Sequence, residues 1–426
     1  MEAQTAARKR SRPRGKAALE TSSLSIPTPA RLTRGRLALL ASLAALGALA
    51  TNIILPAFPA MGREFDVLPR DLALTLSVFF LVFAGGQLLV GPVTDAIGRR
   101  PVVLGGLIVF IGGSILCSLA PSFEWLIVGR GVQAAGACAA AVLARAIARD
   151  LYRGPELTRA LALVMIAMAA APGFSPAIGT AMSSLFGWRS LFVVVALAGA
   201  LVTLSFLRTV GETLPPEARR SAHPLRTAQA YLHLSVDLRF ISPALACSLI
   251  IGCLYTFFGA APAIMMTNMG FSAADLSIFF AATVFIVFGA GLPASRLALR
   301  WDPSRIGIAG LSITLLSGIW LLALSDGAHT VPFLAAVSFF LGGMGLVNPI
   351  ATAITLEPFG DRAGIASALL GFFQMACAAV GTWLISELAL PPSAAFAVVV
   401  ASGSMLAFII FLPAVFRRSK PTKEPA

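Results

Sequence analysis

Long apolar stretches free of charge alternate along the chain with short polar interruptions. Most run for about 20 residues, the length at which an α-helix crosses the hydrocarbon of a bilayer. The pattern predicts twelve such helices, beginning near Leu37, Leu72, Pro101, Trp125, Ala160, Ser190, Ile241, Leu276, Ile306, Val331, Ile365 and Ser393. The longest interruption, Arg208 to Arg239, carries GETLPPEARRSAHPLR and divides the helices six and six. The expected organisation is a basic tail (1–36), a six-helix half (37–210), a linker (211–240), a second six-helix half (241–416) and a short tail (417–426). An even number of crossings puts both termini on one side. Two halves joined by a central linker suggest parallel repeats around a cavity.

Composition assigns these helices to a membrane. Only 12% of the 426 residues are charged, 58% are hydrophobic and the mean hydropathy is +0.87, whereas soluble domains carry about 25% charged residues. The fold class is therefore an all-α integral membrane protein. With the termini placed inside, 28 of the 32 Lys and Arg residues fall in inside segments, including Arg145 and Arg149 in the fourth-to-fifth loop. Arg63, Arg70 and Arg189 fall outside, and Arg130 lies within a predicted helix. This is the positive-inside pattern, and it places both termini in the cytoplasm. The net charge of +13 then reports topology and attraction to anionic lipid rather than nucleic-acid binding. The tail, with its ARKRSRPRGK run followed by Ser, Thr and Pro, reads as disordered. The first apolar run, Leu37 to Met61, is too long for a signal-peptide core and stays as an anchor.

Several kinds of chemistry find no support. Cys117, Cys138, Cys247, Cys253 and Cys377 sit singly in apolar runs, and His223, His233 and His329 lie in the linker or a loop without ligand spacing. No Gly-x-x-x-x-Gly-Lys-Ser/Thr loop is present for an ATP-driven pump. Neither a metal, a cofactor nor an enzymatic reaction is expected.

The polar positions that remain form motifs. Between the second and third helices stands Gly91-x-x-x-Asp95-x-x-Gly98-Arg99-Arg100, echoed in degraded form by Gly291, Ser295, Arg296 and Arg300 at the matching place in the second half. The fourth helix carries Arg130-Gly-Val-Gln133-Ala-Ala-Gly136, and the fifth carries Ala171-Pro172-x-x-Ser175-Pro176-x-x-Gly179. Together these resemble the signatures of the major facilitator superfamily, the last being the one associated with its antiporters. ITLEPFGDRAGIASALLGFFQ from Ile354, ILPAFPAM at Ile54 and GWRSLF at Gly187 resemble its Bcr/CflA drug-resistance subfamily. The resemblance covers Leu37 to Phe416. It implies a monomeric, twelve-helix secondary exporter of small drugs in a bacterial cytoplasmic (inner) membrane, driven by the proton gradient. It also implies that Asp95 meets the N-terminus of the eleventh helix to close the cytoplasmic side.

Physical readings stand beside the resemblance. Gly91 and Gly98 permit a tight turn, and Asp95 with Arg99 and Arg100 is either a gating contact or a solvated anchor. Arg130 lies six residues past Glu124, about 9 Å into its helix, where a cation must face water or a partner or else snorkel to the headgroups. Lining the cavity is the expected role, with Gln133 one turn on. Pro172 and Pro176 remove backbone donors and predict a bent fifth helix, packed at Gly179, with a structural or a gating role. Tyr255, Thr256, Asn348 and Gln374 are further polar candidates for the cavity or for helix–helix hydrogen bonds.

One position departs from the subfamily. Its members carry an aspartate before the x-x-Leu-Pro of the first helix, where this chain has Asn52. Glu124, Asp275 and Glu387 sit at outer helix ends and Glu357 and Asp361 at an inner one, so no carboxylate lies near mid-membrane. Asparagine cannot carry a proton, and a cavity with Arg130 and no acid suits neutral or weakly acidic substrates, phenicol-like ones among them, over cations. An importer or facilitator of a small metabolite on the same fold is the alternative, and a non-transporting receptor a third.

Overall fold

The computed structural model describes residues 33–68, 70–219, 224–324 and 330–418. The tail 1–32, His223, His329 and residues 419–426 lie outside the described residues, as do the side chains of Ser295 and Asp361. Among the described residues, twelve helices are long and apolar enough to cross a membrane. The first is broken: α1 (Arg34–Asn52) ends at a tight turn containing Pro56 and resumes as α2 (Phe58–Phe65). Then come α3 (Ala73–Ile97), α4 (Arg99–Ser118), α5 (Phe123–Leu151), α6 (Gly154–Phe186) and α7 (Arg189–Thr209). A helix that does not cross, α8 (Pro224–Val236), follows in the linker. The second half holds α9 (Leu238–Ala261), prolonged by a π-helical turn at Pro262–Asn268, and α10 (Ala273–Leu297), α11 (Pro303–Ala323), α12 (Thr330–Leu356), α13 (Ala363–Glu387) and α14 (Pro392–Arg418).

Most helices begin one to six residues before the apolar runs, and polar residues cap some of them. Ser272 and Asp275 form a reciprocal capping box on α10, and Asp237 and Asp302 cap α9 and α11. These three acids are thus spent on backbone donors. Arg145 and Arg149, placed by the sequence pattern in a loop, are in the last two turns of α5, which runs on to Leu151. An alanine-rich segment extends the helix past the first charges it meets.

Small residues fix the packing inside each half. A Cβ at Gly136 of α5 would stand 2.3 Å from the backbone of Gly106 and Phe110, so α4 and α5 touch backbone to backbone. In the second half Gly343 of α12 meets Gly310 of α11 in the same way. The pairings repeat: α4 on α5 and α7 in the first half corresponds to α11 on α12 and α14 in the second.

The halves meet where α3 packs on α13 and α6 on α10. Ser77 donates to the Ala379 carbonyl at 2.8 Å, and Thr180 to that of Ala273 at 3.1 Å. On the side away from the termini the seam is sealed, with Ile53, Ile54, Leu55, Leu72 and Leu76 buried and α2 resting on the π-helical turn. Gly179 of α6 lies here, and a Cβ on it would overlap the Ile53 carbonyl.

Replacing Gly136 with Ala forces a Cβ into that backbone and should destabilise the fold by about 1–3 kcal/mol. Gly105 of α4, next to Gly106 in the chain but with open space around it, should accept Ala without loss. Thermal unfolding of both purified variants in detergent checks the contrast.

Candidate functional site

Between the halves lies a cavity of about 500 Å³, within the range of pockets for drug-sized molecules. From α3 it takes Phe79, Phe80, Phe83 and Gln87 at roughly one-turn spacing, and from α6 Met165 and Met168. The second half contributes Tyr255, Asn348, Thr352 and Gln374. The Phe80 and Tyr255 rings meet across the seam at 4.6 Å. Asn348, Thr352 and Gln374 gather around the Cys247 thiol, which donates to Asn348 Oδ1 at 3.4 Å. The lining ends at Arg149, exposed near the end of α5, so the cavity faces the side of the termini. Among the described residues that line it, Arg145 and Arg149 are the only charged ones.

Arg130 does not line it. It is fully buried within the first half, donating to the carbonyls of Ala50 at 3.0 Å and Thr75 at 3.4 Å and to Gln133 Oε1. Its guanidinium carbon stands 4.6 Å from the centroid of the Phe79 ring, so an aromatic face separates it from the cavity. Gln133 passes the chain on, donating to Ser114 Oγ at 2.8 Å, and is equally buried. Asn52 sits in the same interior, its amide donating to Ala48 O at 2.9 Å. Arg130 Nη2 and Asn52 Oδ1 have no hydrogen-bond partner among the described residues. A buried cation without a carboxylate draws carbonyls and a π face around itself, which turns it away from the cavity. Thr256 is also withdrawn, donating to Gly252 O and packed against Gly381.

The turn between α3 and α4 differs from the contact the resemblance implied. Asp95 accepts from Arg99 Nη1 at 2.6 Å, and Arg99 Nε donates to Asp150 at 3.0 Å. Asp95 faces the first turn of α13 only across a second cavity of about 400 Å³, shared with Gly364, Ser367, Arg145 and Tyr231 of α8. The acid at a helix N-terminus is Glu212 of the linker, which accepts from the backbone N–H of Arg99 at 2.9 Å and of Arg100 at 3.2 Å. Gly98 makes this possible: its φ is +107°, and a Cβ there would lie 2.6 Å from the Glu212 carboxylate. Arg100 itself is exposed. Gly91 and Pro92 line the second cavity, and a Cβ on Gly91 would meet open space. Pro172 and Pro176 lie inside α6, which continues unbroken through them, with Pro176 buried.

The sequence matches the family model described as Major Facilitator Superfamily over residues 40–382 and again over 244–426. The chain belongs to the major facilitator superfamily. It is 29% identical over 375 residues to "Uncharacterized MFS-type transporter YdgK" of Bacillus subtilis, covering 87% of this chain and 93% of that one. It is 28% identical to "Multidrug resistance protein D" of Escherichia coli (79% and 85% covered) and 28% identical to "Multidrug resistance protein MdtL" of Salmonella heidelberg (79% and 84%). Its fold matches the crystal structure titled as the human organic anion transporter MFSD10, with a TM-score of 0.63 at 17% identity, over 89% of this chain and 99% of that chain. The chain is thus a multi-pass membrane transporter of this superfamily, and not an enzyme.

Within this transporter, Arg145, Arg149, Gln87 and Glu212 escaped the sequence reading. For the arginines a signal existed, since their four-residue spacing in AAAVLARAIARD continues the face of α5. Glu212 carried none, being one acid in a polar linker. Partial burial pushes its carboxyl up, but the backbone N–H groups of Leu214, Arg99, Arg100 and Thr213 outweigh this and hold it below the ordinary carboxylate value. A carboxyl with a depressed folded value contributes stability above its unfolded value, and the contribution vanishes as pH falls through the folded one. Glu212→Gln should therefore lower the melting midpoint at pH 7, and the gap from the parent should close as the buffer is taken down through the carboxylate range.

Proposed function

We propose that this transporter exports small amphiphilic drugs, neutral or weakly acidic and phenicol-like among them, as a monomer in a bacterial cytoplasmic membrane with both termini in the cytoplasm. The observation that carries the reading is the cavity: drug-sized, aromatic and methionine-rich, open to the side of the termini, and lined by two arginines without a carboxylate. An adaptable apolar wall accepts many shapes, and the charge disfavours cations. The names of the Escherichia coli and Salmonella relatives support drug export, and the positive-inside count supports the orientation.

Alternating access in this reading is a rocking of the two halves about the α3–α13 and α6–α10 seams. The Gly91–Arg100 turn with Asp95, Arg99 and Asp150 serves as the gate on the cytoplasmic side, and the Pro172–Gly179 face of α6 as the joint opposite. Drug/proton antiport is the coupling the family resemblance implies. With Asn52 in place of the acid, Asp95, which lines the adjoining cavity, is the carboxylate we assign to the coupling.

Cells expressing the chain should accumulate less of a phenicol than control cells, and collapsing the proton gradient should erase the difference. A resistance profile dominated by ethidium-like cations would overturn the substrate assignment. Asn52→Asp puts a carboxylate into the interior of the half that holds Arg130. It should gain pH-dependent transport and better handling of cationic drugs, read as drug-induced proton movement in proteoliposomes. Robust antiport by the parent would remove Asn52 from the coupling. Asp95→Asn should lower transport without lowering the amount of protein in the membrane.

A further inference from the structure

We propose that Arg145 and Arg149 form a headgroup subsite for an organic anion, so that the preferred substrates are amphiphiles carrying a carboxylate or a similar acid. The inference rests on the export reading and names its substrate class. Four residues apart on α5, the two guanidinium groups lie on one helix face with a rise of about 6 Å between them. Like charges at that spacing repel and destabilise a helix by a few tenths of a kcal/mol, yet the 500 Å³ cavity they line holds no acid among its described residues. In the adjoining cavity, which both arginines also line, the acid is Asp95, already bound to Arg99 at 2.6 Å. Asp150, one residue beyond Arg149, is bound to Arg99 and Thr213. Arg145 makes no ion pair among the described residues and is half-buried.

The geometry orders an amphiphile. Its acid would meet the fork of Arg145, which matches a carboxylate with two parallel donors, with Gln87 and Ser367 on the neighbouring walls of the same cavity. Its apolar body would run inward over Phe83 and Phe79. Behind Phe79 the buried Arg130, with no acidic partner, adds positive potential to the floor.

The test compares naphthylacetate with its methyl ester, which keeps the body and removes the charge. Equilibrium dialysis against the purified full chain in phosphatidylcholine nanodiscs should give a Kd for the acid about tenfold or more below that for the ester, the size of one charge-assisted hydrogen bond. Arg145→Gln and Arg149→Gln should each narrow the gap, the former to about twofold, and Arg145→Lys should keep part of it. Equal affinities in the parent, or a gap that survives in both Gln variants, would overturn the proposal. So would a gap that disappears when phosphatidylglycerol is added to the nanodisc, since the arginines would then belong to a lipid headgroup. A gap in binding with export of neither compound would sink the export reading and leave this one standing.

Discussion

In hydrocarbon the backbone has no water to bond, so every peptide group must find its partner within the chain. That constraint makes the described structure helical and decides where its polar side chains point. Thr51, Ser114, Thr256 and Thr382 fold back onto carbonyls of the preceding turn, which satisfies each hydroxyl without a partner helix. Carboxylates retreat to helix ends, where Asp237, Asp275 and Asp302 serve as caps.

Arg130 is the exception that cannot retreat, because it stands in the interior of α5. Its charge is spread over the Ala50 and Thr75 carbonyls, the Gln133 amide and the Phe79 ring. Those groups belong to α1, α3 and α5, and Gln133 reaches α4 through Ser114. The arginine therefore ties four helices of one half together. Backbone contact at Gly136 does the same between α4 and α5, and each half is consolidated in ways its partner repeats. The seams between halves carry polar ties of their own, Ser77 to Ala379 and Thr180 to Ala273. A molecule whose halves are each tied internally and meet along two helix pairs is suited to the rocking proposed for transport.

The linker is more than a tether. Glu212 clamps the start of α4, Thr213 reaches Asp150, and Tyr231 of α8 donates to the Leu88 carbonyl of α3 while α8 packs on α9 and α13. One segment thus touches the α3–α4 turn of the first half and the entry of the eleventh crossing in the second. Any motion that parts these elements must also move α8.

What the sequence determined is what periodicity and hydration energy control locally. Twelve apolar runs fix twelve helices, since a run of that length has no other low-energy state in a bilayer, and the uneven distribution of Lys and Arg sets the expected orientation. Family membership was legible too, because the Gly91–Arg100, Arg130–Gly136 and Pro172–Gly179 motifs are short and contiguous. Only the tertiary structure decided which way the polar groups face. Arg130, Gln133, Asn52 and Thr256 are withdrawn into the helix interior while Tyr255, Asn348 and Gln374 line the cavity: Arg130 and Gln133 find acceptors on neighbouring helices, and Asn52 and Thr256 find theirs one turn back on their own. Arg145 changed from a loop charge to a cavity charge because its helix outlasts its hydrophobic pattern, and the neighbours that enclose it are α3 and α13, some 50 and more than 200 residues away.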